Sequence, residues 1–483
     1  MHRLFAVLAI LLVSVLPSSL AAAAPGDIDT SAVDRFMADY LARTGLPGAS
    51  VAITHGTRVV HVAGYGHDST GAAMTADTRM PVASVSKSFV ALAVMQLVEA
   101  GRVDLDAPVR QYLPDFRMAD SRAERITVRQ LLNQTSGMSD GAFPDLRRPQ
   151  ARSLTEAVER LRDAELADDP GTDYHYHNPN FQVAARIVEV VSGQPFADYL
   201  REKIFAPTGM THSDTIDNPR QALDVPRGHI RLYGIAIPVD ELDWFVGGSH
   251  GIITTATDLA RWLIVQNNAG RTADGQRLVS DAAIDLMHAP SAVDSYGMGW
   301  KHDAEDDSRV FHNGSWFSYT AEQVLLPETG YGIAVMANMG MALEDDPDLI
   351  ANGLIDITRG LTPRIERPSG IYADWALGVA TLGVLVAAVL LVRRSHRWAA
   401  AQAGRSPWLI ALRQLPYLAA VPALLLLPDI AGFVFAGRAG GYRHVLYVFP
   451  AVLIFLAVAA LAGLAMVGVR TARLRQSLRA TPP

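Results

Sequence analysis

The chain has 483 residues, enough for two or three folding units, and its lack of cysteine excludes disulfide bridges, cysteine metal sites and a cysteine nucleophile. Its net charge of −7 combines an acidic part and a basic part: residues 25–369 carry −17, whereas residues 370–483 hold 11 arginines against 2 acidic residues. The acidic part argues against nucleic-acid binding, which needs a basic face.

The N-terminus has the pattern of an export signal. A short basic start is followed by an apolar run over residues 4–16, and the segment ends in Ala22-Ala23-Ala24. An apolar core with a small-residue cleavage site predicts a signal peptide over residues 1–24. The alternative is an uncleaved anchor, but 13 apolar residues are too few to span a bilayer comfortably. We therefore expect the following domain to be exported.

Residues 25–362 are predicted to form one domain with strands at both ends and helices between them. Four elements support this prediction: a hairpin over residues 48–64, a helix from Ser84 to Ala100, a helix that Asn178 caps and Gly193 ends, and a hairpin that pairs residues 324–326 with 333–337. This order predicts an α+β fold whose sheet joins the N- and C-terminal segments.

The composition changes after residues 363–374, a charged linker that contains proline. Three apolar stretches follow, at residues 375–392, 415–435 and 445–469, and each is long enough for a transmembrane helix. Arginines cluster between the first and second stretches and in the tail of residues 470–483, so the positive-inside rule places both in the cytoplasm. Residues 25–369 are then extracytoplasmic, and the chain is a multi-pass protein of the cell membrane.

Ser84 and Lys87 form an S-x-x-K pattern at a predicted helix start. The i, i+3 spacing places both side chains on one helical face, so that the amine can reach the hydroxyl. A serine becomes nucleophilic when a neighbouring base takes its proton, and a buried lysine can be that base. The chain has 3 lysines against 39 arginines. A lysine kept in so arginine-rich a chain indicates a function that needs a group able to release its proton.

Two further motifs are weak in isolation. Tyr176 offers a phenol that can relay a proton, and Asn178 offers an amide, although that amide could simply cap a helix. His312, Gly314 and Ser315 precede an edge-like segment, and the Ser315 N–H could complete an oxyanion hole with that of Ser84. By itself this second motif reads as a turn.

Taken together in this order, the motifs S-x-x-K, Y-x-N and H-x-G resemble the serine β-lactamase and penicillin-binding-protein family, particularly its class C and esterase-like branch (the S12 type of serine peptidase). Further matching segments are Leu46-Pro47-Gly48-Ala49, Leu131-Leu132-Asn133-Gln134-Thr135-Ser136-Gly137-Met138 and Tyr296-Gly297-Met298-Gly299-Trp300. The resemblance covers about residues 30–360. It implies an antiparallel sheet with flanking helices plus a helical region, with the site in the cleft between them.

The resemblance also implies the chemistry. Ser84 is acylated with Lys87 and Tyr176 as its catalytic partners, while Asn178, His312, Gly314 and Ser315 line the substrate and oxyanion side. Neither a metal nor a cofactor is expected. The third motif lacks the lysine of K-T-G, and Asn313 stands where threonine is usual. Because that lysine helps to bind a substrate carboxylate, we expect poor β-lactam hydrolysis but measurable esterase or D-peptidase activity.

Several alternatives remain open. Ser249 lies in a G-x-S-x-G pattern and is a rival nucleophile, provided that a strand directly precedes it and a helix directly follows it. The chain could also be a β-lactamase proper, or a non-hydrolytic receptor that signals through the membrane spans. An ester, an amide, a D-amino-acid peptide of the cell envelope and a lactam are all possible substrates, and the oligomeric state is open.

Overall fold

A computed structural model describes residues 28–303, 309–340, 345–402, 404–435, 437–438 and 440–480. The predicted signal peptide at residues 1–24 lies outside the described residues.

The main sheet joins the two ends of the catalytic domain. Among the described residues its strand order is β2-β1-β11-β10-β9-β8, and all neighbours are antiparallel. The strands of the domain are β1 (Gly48–His55), β2 (Arg58–Gly66), β3 (Met80–Pro81), β4 (Asp214–Thr215), β5 (Gly228–Leu232), β6 (Ile235–Val239), β7 (Ile252–Thr254), β8 (Lys301–His302), β9 (Val310–Ser315), β10 (Thr320–Leu326) and β11 (Tyr331–Ala337). Both predicted hairpins are present, and the pairing of β1 with β11 confirms that the sheet joins the N- and C-terminal segments.

Helices cover both faces of this sheet. They are α1 (Thr30–Thr44), α2 (Ser86–Glu99), α3 (Val128–Leu132), α4 (Leu154–Glu159), α5 (Asn178–Ser192), α6 (Phe196–Leu200), α7 (Ala206–Thr208), α8 (Ala256–Asn267), α9 (Asp281–His288) and α10 (Asp346–Thr358). Alternate residues of β1 face opposite layers, because Val51 and Ile53 pack with α1 and α10 whereas Ala52 joins the core around α2.

Helix α2 is apolar on all sides and lies in the core between the sheet and the helical region. Its residues Ser86 to Met95 are all buried, which is typical of a helix without a solvent-facing side. The predicted helix over residues 84–100 is therefore correct, except that a 3₁₀ turn, Ala83–Val85, precedes it. Helix α5 ends as predicted at Gly193 (φ 78°), but its N-cap is His177 rather than Asn178. The Asn178 amide faces Lys87 instead of capping the helix.

The C-terminal part consists of helices: α11 (Ser369–Arg393), α12 (Ser395–Ala401), α13 (Pro407–Leu412), α14 (Ala420–Leu425), α15 (Leu427–Val434), α16 (Tyr442–Val448) and α17 (Pro450–Ala480). Within the described residues, α11 and α17 are long and apolar enough to cross a membrane. Helix α11 begins inside the stretch predicted as a linker.

The predicted second span is broken. Helices α14 and α15 meet at an angle of 62°, so a third span exists only if this bent pair counts as one. Three straight spans are therefore not confirmed. Pro428 explains the break, because proline has no N–H to donate and its ring clashes with the carbonyl four residues earlier.

The catalytic domain contacts the apolar helices at several points. Arg147 forms an ion pair with Asp429 at 2.8 Å, and the Tyr447 hydroxyl donates to the carbonyl of Asp240 at 2.6 Å. At the β5–β6 hairpin, the N–H of Gly234 donates to Asp374 at 3.3 Å. The domain therefore contacts the start of α11 and both helices α15 and α16.

Candidate active site

Ser84 lies in the 3₁₀ turn between β3 and α2. The residue before it, Ala83, has φ 46°, in the left-handed region that residues with a Cβ rarely adopt. The turn is fixed from outside, because the N–H of Val82 donates to the carbonyl of Ile252 at 3.0 Å and the N–H of Ile252 donates to the Ser86 hydroxyl at 3.0 Å. Strand β7 thus holds the backbone conformation that aims Ser84 at the cleft.

Lys87 is fully buried, and its amine reaches three oxygens. Nζ lies 2.9 Å from Oγ of Ser84, 3.0 Å from Oδ1 of Asn178 and 3.0 Å from the carbonyl oxygen of Ser249. The predicted contact between Ser84 and Lys87 is therefore present. Asn178 and Ser249 use up the remaining bonding capacity of the amine and fix its direction.

The surroundings of Lys87 favour its neutral form. Burial lowers its pKa well below the usual 10.5, and the positive charges of Arg438 and Lys301 lower it further, against the opposing effect of Asp140. A neutral amine at hydrogen-bond distance from Oγ can accept the serine proton, whereas an ammonium group cannot. The short contact with Ser84 and the lowered pKa both indicate that Lys87 can act as a general base.

Tyr176 lies on the other side of Ser84. Its hydroxyl faces both the Ser84 side chain and the guanidinium of Arg438, and burial is the main cause that raises its pKa. The Tyr176 segment is held by Gln134, whose carbonyl accepts from the N–H of His175 at 2.9 Å and whose Oε1 accepts from the N–H of His177 at 3.0 Å. A phenol that keeps its proton at this position can donate it to a leaving group.

The third motif lies on β9. His312 is fully buried, and its Nε2 lies 3.0 Å from the Tyr296 hydroxyl. Burial, together with the charges of Lys301 and Lys87, lowers the His312 pKa well below 6.5, so this histidine is neutral at pH 7. A Cβ at Gly314 would clash with the carbonyl oxygen of Val82 and lie 2.9 Å from the Ser84 nitrogen. Only glycine lets β9 pass this close to the nucleophile.

Sequence reasoning missed two cations of the site. Lys301 on β8 donates to Oδ1 of Asn313 at 3.0 Å, and the Arg438 guanidinium carbon lies 4.6 Å from the centre of the Tyr176 ring. The rarity of lysine, which singled out Lys87, would have identified Lys301 as well. The expectation of poor β-lactam hydrolysis assumed that no cation stands near Asn313, and Lys301 removes that assumption.

The rival nucleophile, Ser249, does not lie in a strand-to-helix turn. Ser249 is fully buried, and the short strand β7, rather than a helix, follows it. Its carbonyl oxygen accepts a hydrogen bond from the Lys87 amine instead.

The fold agrees with comparisons to known proteins. Residues 33–354 match the beta-lactamase family model. Penicillin-binding protein 4 of Amycolatopsis lactamdurans is 30% identical over 342 residues, which cover 67% of this chain and 89% of that protein. Protein flp of Staphylococcus aureus (strain MRSA252) is 28% identical over 313 residues, or 64% of this chain, and the match spans 62% of that relative. An octameric penicillin-binding protein homologue from Pyrococcus abyssi is 26% identical, with a TM-score of 0.60 over 73% of this chain and 82% of its own.

Proposed function

The chain belongs to the beta-lactamase family, and on that premise we propose that it is a serine hydrolase that works through an acyl-enzyme on Ser84. The observation that carries the proposal is the 2.9 Å contact between Nζ of the buried Lys87 and Oγ of Ser84. The substrates are esters, amides or D-amino-acid peptides of the cell envelope, and the apolar C-terminal helices hold the domain at the outer face of the membrane.

In the acylation step, Oγ of Ser84 forms a bond to the substrate carbonyl carbon and its proton passes to Lys87. The backbone N–H groups of Ser84 and Ser315 donate to the resulting oxyanion, since Gly314 brings β9 alongside the Ser84 backbone. The bond to the leaving group breaks as Tyr176 donates its proton to the departing atom. Water then attacks the acyl carbon and gives its proton to the Tyr176 phenolate, which restores the phenol. The bond to Oγ of Ser84 breaks as protonated Lys87 returns its proton to Oγ, so the free serine and the neutral amine are regenerated.

The test is covalent labelling of the full-length protein in detergent with a fluorophosphonate, followed by peptide mapping. We expect the label on Ser84, and we expect Ser84→Ala to abolish it while Ser249→Ala retains it. If the label survives Ser84→Ala and disappears in Ser249→Ala, the nucleophile is Ser249 and the proposal is wrong.

A further inference from the structure

Gly437 and Arg438, between α15 and α16, lie at the catalytic cleft. Gly437 has φ 88°, and a Cβ there would clash with the carbonyl oxygen of Asp140 at the lip of the cleft. The next residue, Arg438, stacks its guanidinium on the Tyr176 ring. On the far side, the ring of His444 packs against that of Phe317, with centres 5.0 Å apart. Residues of the apolar C-terminal part therefore form a roof over the site.

A cavity of about 190 Å³ lies beneath this roof. Asn178 and Ser315, both among the predicted site residues, line it from the catalytic domain together with Trp244 and Phe317. The opposite wall comes from the C-terminal part and is mostly apolar, with Phe435, Val445, Val448 and Phe449, but Arg438 and His444 also line it. Asp140 and Asp145 line the cavity as well. The cavity thus continues the catalytic cleft and cannot exist in the catalytic domain alone.

Positive charge dominates the reaction centre. The charged groups that act on Lys87 in the described part of the chain are Arg438, Lys301 and one carboxylate, Asp140. Asp140 already has a partner, because Nδ1 of His177 lies 3.1 Å from its Oδ1. Near Lys301, Glu322 is occupied by an ion pair with Arg309, which leaves Asp294 as a more distant influence.

Arg438 itself keeps hydrogen-bonding capacity. Its described contacts are the Tyr176 ring and hydroxyl, its side chain is exposed toward the cleft entrance, and no ion pair joins it to a carboxylate within the described ranges. A guanidinium has five N–H donors in a fork that matches a carboxylate. Arg438 is therefore a cation that lines the cavity and has N–H donors left over, with Asp140 as its nearest electrostatic counterpart.

We propose that Arg438 is a specificity-determining residue that binds an anionic group, a carboxylate next to the scissile bond, of the substrate of Ser84. Arg438 belongs to the apolar C-terminal part of the chain, and it adds to Lys301, which donates to Asn313 in the third motif, where His312 is uncharged. Substrates with a free amine at this position are repelled by the same charges. The inference rests on the proposed acyl-enzyme function.

The experiment uses phenylboronic acid and 3-carboxyphenylboronic acid, a matched pair that differs by one carboxylate. Boron accepts an electron pair from Oγ of Ser84 while the hydroxyl proton passes to Lys87, so binding reports on the site without turnover. Calorimetry on the full-length protein in detergent gives the two dissociation constants and their ratio. Wild type should prefer the carboxylated probe, and Arg438→Gln should reduce that preference about tenfold or more.

Two further variants separate charge from structure. Arg438→Lys should retain most of the preference, and Arg443→Gln should retain all of it, because Arg443 is an exposed arginine near the start of α16. The inference is overturned if wild type shows no preference, if Arg438→Gln changes both constants equally, or if both probes bind more tightly without Arg438. Fluorophosphonate labelling in parallel separates the two proposals: an unlabelled Ser84 contradicts the proposed function, whereas a labelled Ser84 with unchanged preference in Arg438→Gln contradicts this inference alone.

Discussion

The catalytic domain and the apolar C-terminal part both contribute to the cleft, but they hold their residues in different ways. Lys87 is fully buried and has three hydrogen-bond acceptors around it, whereas Arg438 is exposed and rests on one aromatic ring beside a single glycine. Only 6% of the apolar stretch of α11 and 17% of that of α17 are buried within the protein. The proposed base is thus held by a packed core, whereas the proposed specificity contact comes from a region with few internal contacts.

Removal of Lys87 should have the largest effect. Lys87→Ala deletes the general base, so we expect the rate of acylation by 4-nitrophenyl acetate to fall about 10²- to 10⁴-fold. The burst of nitrophenol in stopped-flow measurements reports this rate. The control is Lys203→Ala, which removes an exposed lysine far along the chain from the site and should leave the rate unchanged. A Lys87 variant that acylates at the wild-type rate would show that another group takes the proton.

Alanine substitutions at Gly314 and Gly437 test the contrast between the packed core and the apolar C-terminal part. Gly314→Ala forces a Cβ against Val82 in the core, and we expect it to lower the free energy of unfolding by about 1–3 kcal/mol. Gly437→Ala also creates a clash, but the connection can move away, so the unfolding of the domain should be unaffected while the preference for the carboxylated boronic acid falls. Urea unfolding followed by tryptophan fluorescence measures the first effect. Equal destabilisation by both variants would contradict the contrast between the regions.

The pH profile should reveal the electrostatic link between the regions. Acylation requires neutral Lys87, so its rate rises with pH through the Lys87 pKa, which burial and then Arg438 lower below 10.5. Arg438→Gln removes a neighbouring positive charge, stabilises the ammonium form, and should therefore move the rising limb to higher pH. Arg443→Gln is the control. A shift to lower pH, or no shift, would mean that Arg438 does not act on the base.

The smallest effect is expected from the ion pair between Arg147 and Asp429, since both side chains are partly exposed. A double-mutant cycle with Arg147→Ala and Asp429→Ala should give a coupling energy of about 0.2–1 kcal/mol. Thermal unfolding in detergent provides the four values. A coupling of several kcal/mol would mean that the two regions are joined much more firmly than the contacts indicate.

The sequence predicted the features that depend on local spacing. The i, i+3 relation of Ser84 and Lys87, the two hairpins and the end of α5 at Gly193 all follow from periodicity and turn chemistry. The predicted N-cap of α5, Asn178, lies one position after the observed N-cap, His177, because the Asn178 amide accepts from Lys87 instead of capping the helix. The break at Pro428 was visible in the sequence, but the uniform hydropathy of residues 415–435 outweighed it.

Other residues could not be found in this way. Arg438 is separated from Tyr176 by more than 250 positions, and their contact depends on how the apolar helices dock on the domain. Gln134 also has a structural role that composition does not reveal. Its backbone has φ 60°, and its side chain accepts from the N–H of His177, which holds the Tyr176 segment in place. Long-range docking and backbone conformation decide these positions, and neither produces a local pattern.

The pairing of β1 with β11 has a consequence for biogenesis. Strand β1 lies between β2 and β11, so the hairpin that is synthesised first lacks a neighbour until β11 has been made. Closing a sheet over such a sequence separation is slow, and the exposed edge is prone to aggregation in the meantime. Helix α11 starts about thirty residues later. On the proposed topology, completion of the sheet and arrest of export by the first long apolar helix would be nearly simultaneous, and a truncation before β11 would leave an open strand edge.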